Sequence, residues 1–153
     1  MKKLMIVVIA VTLLTTAQAQ KISADKVPSA VSAAFKTKFP KAEKVTWEME
    51  NPKEYEANFK VNSAEQSAVF DAVGNWMVTE TEIKVAELPK AVSQTLSKKF
   101  SGYKIKEAEK VEKKGTGNCF EAEIEKEGKT LEVVLSPTGE VLDKKEKQKD
   151  KKD

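Results

Sequence analysis

From Val27 onward apolar residues recur at helical spacing, with Val27, Val31, Phe35 and Phe39 in one stripe and Ala30 and Ala34 beside them. At Val45 the period drops to two: Val45, Trp47 and Met49 point one way, while Lys44, Thr46 and Glu48 point the other. The change predicts a helix that opens at Pro28, where a missing N–H is no loss, and stops near Phe39-Pro40. A strand follows and ends at the Asn51-Pro52 turn. Tyr55, Ala57, Phe59 and Val61 alternate with Glu56, Asn58 and Lys60, which predicts a second strand. A third is expected over 66–71, reversed by Asp71-Ala72-Val73-Gly74, and a fourth runs from Trp76 toward Ile83. One helix over one face of a four-stranded antiparallel sheet lets each element bury its apolar side.

The pattern then starts again. Val27-Pro28-Ser29-Ala30-Val31 is echoed by Leu88-Pro89-Lys90-Ala91-Val92, and Leu88, Val92, Leu96 and Phe100 repeat the helical stripe. Residues 103–111 make a more charged strand candidate, and Phe120, Ala122 and Ile124 repeat the spacing of Tyr55, Ala57 and Phe59. Residues 130–135 and Val141-Leu142 complete the unit around Pro137-Thr138-Gly139. Tyr55 and Phe120 are 65 residues apart, as are Gly74 and Gly139, whereas the two helix starts are 61 apart. The four extra residues fit a longer turn over 113–118. The fold class expected is therefore α+β, a tandem repeat of a helix plus a four-stranded antiparallel sheet, with repeats at 20–84 and 85–144. Phe35 and Phe59 should meet in the first core, and Leu96 and Ile124 in the second.

Both termini differ from this pattern. Lys2-Lys3, an apolar run over 4–14 and Thr15-Thr16-Ala17-Gln18-Ala19-Gln20 have the basic, hydrophobic and small-residue order of a secretory signal spanning 1–19, cleaved after Ala19. The run is short for a membrane span, so no transmembrane anchor is expected after processing, and the address is periplasmic or secreted. Residues 143–153 are charged throughout apart from one glutamine, and the segment 145–153 is expected to be a disordered tail.

Composition narrows the chemistry. The chain has 27 basic residues, all lysine, and 24 acidic ones, for a net charge of +3. Lys2 and Lys3 are the only charges in the leader, so cleavage leaves +3 less 2, or +1. Lysines and carboxylates interleave, as over 104–110, without the persistent positive field that nucleic acid requires. With no histidine, neither a Ser-His-Asp nor a Cys-His arrangement can form, and with no arginine the planar anion clamp is missing. No catalytic, cofactor-binding or metal-ligating residue is assigned. A hydrolase using only carboxylate, serine or lysine groups is the enzyme alternative, and a structural or accessory envelope protein is the other.

Individual candidates have plain structural explanations. Glu121, Glu123 and Glu125 alternate with Phe120, Ala122 and Ile124 and fit an exposed sheet face better than an acid–base site. Asp71, Gly74 and Asn75 fit a hairpin turn better than a calcium loop, and Gly115 and Gly117 fit chain reversal. Cys119 has no second cysteine to pair with, and no Cys-x-x-Cys spacing. Its strand parity matches Glu121 and Glu123, which points to partial exposure and reaction with a thiol reagent in the native protein. Trp47, Tyr55 and Phe120 share faces with apolar residues and read as core. Trp76 has an ambiguous parity and is the candidate binding residue, an anchor if the sheet face opposite the helices exposes it.

Val27-Pro28, Ala30-Val31, Ala34-Phe35, Phe39-Pro40, Ala42, Val45 and Trp47 resemble the helix-to-first-strand signature of the PepSY-like periplasmic proteins, which are related in fold to β-lactamase-inhibitor proteins. The likeness covers roughly 26–144 and is clearest in the first repeat. In the second, Ser101 replaces Pro40 and no aromatic matches Trp47. The resemblance implies an exported, noncatalytic tandem domain that binds an envelope or secreted protein or a peptide, with inhibition of a peptidase or a β-lactamase a further step beyond binding. It transfers no catalytic role to any residue.

Overall fold

The computed structural model describes residues 20–147. The expected leader, 1–19, and the last six residues of the tail lie outside the described residues. Strand β1 (Gln20–Ile22) precedes helix α1 (Ser29–Lys38), which is followed by β2 (Glu43–Asn51), β3 (Glu54–Val61), β4 (Ala64–Asp71) and β5 (Trp76–Glu82). Helix α2 (Lys90–Lys99) is followed by β6 (Lys104–Lys113), β7 (Gly117–Lys126), β8 (Lys129–Leu135) and β9 (Val141–Lys147). The fold is α+β, with two helices each followed by four antiparallel strands. Two compact units divide the chain: one holds the described residues up to Val61 with Ser67–Met77, the other Asn62–Gln66 with the chain from Val78. Among the described residues no helix is long and apolar enough to cross a membrane.

Each helix is started and stopped in the same way. Pro28 and Pro89 sit immediately before the first helical residue, and their carbonyls accept from the Ser32 and Ser93 N–H groups at 3.0 Å. Proline suits this place because a helix start has unused N–H groups in any case. Phe39 N–H donates to the Phe35 carbonyl and Phe100 N–H to the Leu96 carbonyl, closing the last turn as the chain leaves helical geometry.

The apolar stripe of α1 packs on one face of its strands. Phe35 is the centre of an aromatic group, with its ring centroid 5.0 Å from Phe59 and 5.2 Å from Trp47 in edge-on arrangements. Val31, Ala57, Ala68 and Phe70 fill in around it. The α2 core is aliphatic at the corresponding places: Leu96 and Ile124 stand where Phe35 and Phe59 stand in the first unit, with Val92, Leu131, Val133 and Leu135 around them. Both expected core pairs are buried.

A turn glycine closes each unit against its helix. Gly74 has φ +89° and Gly139 φ +85°, the left-handed region that side chains disfavour. A Cβ on Gly74 would fall 2.7 Å from the Ala30 carbonyl oxygen, and one on Gly139 2.6 Å from that of Ala91. Asp71 shapes the first turn, its Oδ1 accepting from the Val73 and Asn75 N–H groups at 3.0 and 2.8 Å. The Asp71 carboxylate is thus committed to a hairpin turn. In the second turn the Ser136 hydroxyl accepts from Glu140 N–H, and Thr95 Oγ1 donates to the Gly139 carbonyl at 2.8 Å.

The strand layout departs from the sequence reading in four places. Val45 is 37% exposed instead of sharing the face of Trp47, because the β2–β3 register breaks between Glu43 and Thr46 and Lys44 takes φ +54°. A bulge there shifts the parity of one residue. The extra residues of the second repeat go mostly into strands: β6 and β7 have ten residues each, against nine and eight in β2 and β3. Strand β1 was not anticipated; it pairs with β2 through Ile22↔Trp47. Lastly, residues 143–147 are not a disordered tail. They continue β9, in register with β8 as far as Thr130↔Lys147.

Two substitutions test this packing. Phe35→Ala is expected to lower unfolding free energy by about 3–5 kcal/mol in urea titration, as for a buried aromatic ring. Gly139→Ala should cost more than about 1 kcal/mol, since it adds a collision with α2 to the strain of positive φ. Gly115→Ala, at φ +82° with nothing within 4 Å of the added carbon, should cost only the strain. Equal losses at the two glycines would remove the helix contact from the account.

Candidate functional site

The face of the second unit that points away from α2 is built by strand register. Directly paired residues share a face, so Glu80, Val111 and Cys119 form one row across β5, β6 and β7. Glu82, Glu109, Glu121, Val134 and Asp143 form the next, and Glu123, Glu132 and Lys145 a third. Alternation sends Ala108, Ala122, Ile124, Val133 and Leu135 to the α2 side. The opposite side thereby collects carboxylates from five adjacent strands, β5 to β9.

This face is not the solvated one expected of Glu121, Glu123 and Glu125. All three are half-buried, and Glu80 and Glu132 are only 4% and 3% exposed. The reason is their neighbours: Val78, Val111 and Val134 lie on the same side and are buried. Cys119 lies among them at 7% exposure, which corrects the expectation of a partly exposed thiol. Its parity was read correctly; the error lay in taking that face as open to water. Burial pushes the thiol pKa up, Lys113 opposes the shift, and the charges of Glu121 and Glu80 reinforce it.

Burial also dominates the carboxyls. Glu109 is pushed up to about 7 by desolvation, with Lys147 pulling the other way and Glu107, Glu132 and Glu82 adding to the rise. Glu121, directly opposite Glu109, is raised by desolvation and by Glu132, Glu80 and Glu109, again against Lys147. Lys147 Nζ donates to Glu123 Oε2 at 2.7 Å and lies 3.6 Å from Glu132 Oε2. Desolvation lowers the Lys147 pKa, but the Glu123 hydrogen bond and the charges of Glu123, Glu132 and Glu121 outweigh it and hold the ammonium above its ordinary range. Among the described residues no group of three histidine, cysteine, aspartate or glutamate side chains is placed to hold a metal ion.

The first unit carries the same opposed pair, Glu48↔Glu56. Glu48 and Glu109 differ by the helix offset of 61, and Glu56 and Glu121 by the later offset of 65, so the signal was present in the repeat arithmetic. The aromatic candidates lie elsewhere. Trp47, Tyr55 and Trp76 pack with the α1 core, and Phe120 with the α2 core. Trp76 packs on the α1 side, so it is not exposed on the sheet face opposite the helices; it is half-buried there, with Lys38 Nζ 3.9 Å from its ring centroid, a cation–π contact. Val73, at the tip of the preceding turn, is 73% exposed.

Two helices, each capped by a proline and clamped by a turn glycine over antiparallel strands, define a tandem α+β scaffold of the kind seen in β-lactamase-inhibitor-like proteins. The chain belongs to the PepSY-like family, described as candidate β-lactamase-inhibitor-like, whose model matches residues 13–66 and 53–143. A BLIP-like protein from Bacteroides fragilis is similar over 80% of this chain and 90% of its own, with 27% identity and a TM-score of 0.70. A DUF2874 family protein from Bacteroides uniformis matches 78% of this chain and 88% of its own, at 24% identity and a TM-score of 0.73. A candidate periplasmic protein from Bacteroides eggerthii covers the same shares at 22% identity and a TM-score of 0.73. No curated protein matches the chain.

Two outcomes follow from the buried face. Cys119 should resist a thiol reagent at neutral pH in native protein and react at full rate in denaturant, because its thiolate is both scarce and shielded; rapid native labelling would contradict the burial. The raised carboxyls hold protons more tightly folded than unfolded. Their stabilisation is therefore complete below the ordinary value of 4.5 and is lost as pH rises through about 7. The urea midpoint should fall between about pH 5 and pH 8, and Glu121→Gln should flatten that slope.

Proposed function

We propose that this protein is an exported, noncatalytic module that binds another envelope or secreted protein, or a peptide, in an inhibitor-like manner. Membership of a family described as candidate β-lactamase-inhibitor-like carries this reading. The BLIP-like relative at 27% identity supports it. The basic, apolar and small-residue order of 1–19 and the candidate periplasmic relative support a periplasmic address. A chain without histidine, whose one cysteine is buried with its thiol pKa raised, is better suited to recognition than to turnover.

Trp76 is the contact residue of this proposal, with Val73, three residues before it, at the tip of the turn. An aromatic ring held half-buried by Lys38 offers a rigid apolar surface with little entropy left to lose. Lysines and glutamates around such a centre would set orientation and association rate more than affinity. Affinity capture from envelope extract, followed by solution binding with the purified partner, tests the idea. Val73→Ser and Trp76→Ala should weaken saturable binding, the latter by about 2 kcal/mol, while each variant keeps a cooperative unfolding transition. Repeated failure to find a partner, together with turnover of an envelope substrate by the purified protein, would replace this reading with the hydrolase.

A further inference from the structure

Strand β9 is held differently from the strands beside it. It pairs with β8 alone, and none of its side chains is buried. Val141, at its first position, packs against the α2 core, and beyond that residue docking rests on the backbone ladder and the ion pairs. The Lys129–Glu146 bridge, 2.8 Å long, joins two side chains about half exposed and is worth little. Lys147 is different: from the edge strand it contacts Glu132 of β8, which is almost fully buried, and reaches across β8 to Glu123 of β7.

We infer that Lys147 makes β9 a proton-dependent clasp: the strand docks more tightly when the carboxyls of the face away from α2 are ionised, and loosens when they take up protons. The pair at the centre is Glu109 and Glu121, directly opposite one another on β6 and β7. Glu80 and Glu82 face it from β5, Glu107 and Lys113 from β6, and Cys119 and Glu123 from β7. Glu132 faces it from β8, and Asp143, Lys145 and Lys147 from β9. Lys145 lies 3.9 Å from Asp143, its own neighbour on the strand, so Lys147 is the β9 cation that serves the carboxyls of β7 and β8.

Lys147 lowers the proton affinity of both Glu109 and Glu121. Reciprocity then requires that ionising the pair favours the docked lysine. The valines that dry the pair, Val78, Val111 and Val134, lie on β5, β6 and β8, so peeling β9 removes the lysine and leaves that burial in place, and the pair takes up protons more readily with β9 away than with it docked. The docking gain is thus present at high pH and lost as pH falls through the docked values. Global stability moves the opposite way, since the same carboxyls are raised relative to the unfolded chain. Opposite signs separate a local clasp from a general pH effect.

Amide exchange on the full chain, corrected for intrinsic rates, compares β9 with the central strand β7 at about pH 6 and pH 8, while carboxyl NMR follows Glu109 and Glu121. The β9 opening constant should fall as pH rises, about tenfold for each unit by which Lys147 lowers the pair's titration. Lys147→Gln should abolish that dependence and move the pair's midpoint upward, and Lys147→Arg should restore both. A β9 protection that follows global unfolding in sign and size, or a midpoint unmoved in Lys147→Gln, would overturn the inference. Wild-type exchange and titration decide it even without a folded variant.

Discussion

The close approach of a hairpin turn to the first turn of a helix is the contact on which both units depend. At Gly74 and again at Gly139 the chain passes so near the helix backbone that a single added carbon would overlap a carbonyl oxygen. That approach fixes where each helix begins relative to the strands that follow it. It also explains the repeated Pro-x-Ala-Val phrase residue by residue. Proline starts the helix without wasting a donor, alanine lies at the place where the turn comes closest, and Val31 or Val92 then points fully buried into the core.

With the helix start clamped, the contents of the core are free to differ. The first unit uses edge-on aromatic rings centred on Phe35, whereas the second uses Leu96, Ile124 and Leu135 in equivalent positions. Cores accept such exchange when volume and pattern are preserved, because the apolar surface removed from water sets most of the energy. The longer β6–β7 hairpin is a second kind of freedom. Its added length lies beyond the region the helix covers, and a ladder can grow at its open end without disturbing the clamp.

Local features were legible in the sequence, and features set between strands were not. Helical stripes, the two prolines, the turn glycines and the alternation of β3 and β7 each follow from a few adjacent residues, and so the two-unit α+β architecture could be read directly. The Lys44 bulge could not, since it exists only as a break in pairing with β3. Residues 143–147 looked like a solvated tail because a charged segment cannot fold on burial alone, yet an edge strand gains its order from the ladder of its neighbour. Cys119 and Glu121 failed for a related reason. Alternation assigns a residue to a face but says nothing about whether that face is wet, and the valines that dry it come from β5, β6 and β8.

The difference between the two units is concentrated on that same face. Applying the 65-residue offset, Asn58 and Ser67 of the first unit stand where Glu123 and Glu132 stand in the second, and Glu82 stands where Lys147 does. The opposed glutamates, Glu48↔Glu56 and Glu109↔Glu121, are common to both, and an edge-strand lysine lies near each, Lys21 of β1 opposite Glu48 and Lys147 of β9, but the second unit adds Glu123 and Glu132, both of which Lys147 contacts. Opposed like charges are unfavourable in a sheet unless a proton or a cation intervenes. The second unit contains both remedies, a raised carboxyl pair and Lys147, and they are coupled because each changes the need for the other. Helix, turn and core thus repeat where packing demands it, while the face left over by the helices carries the chemistry in which one unit departs from the other.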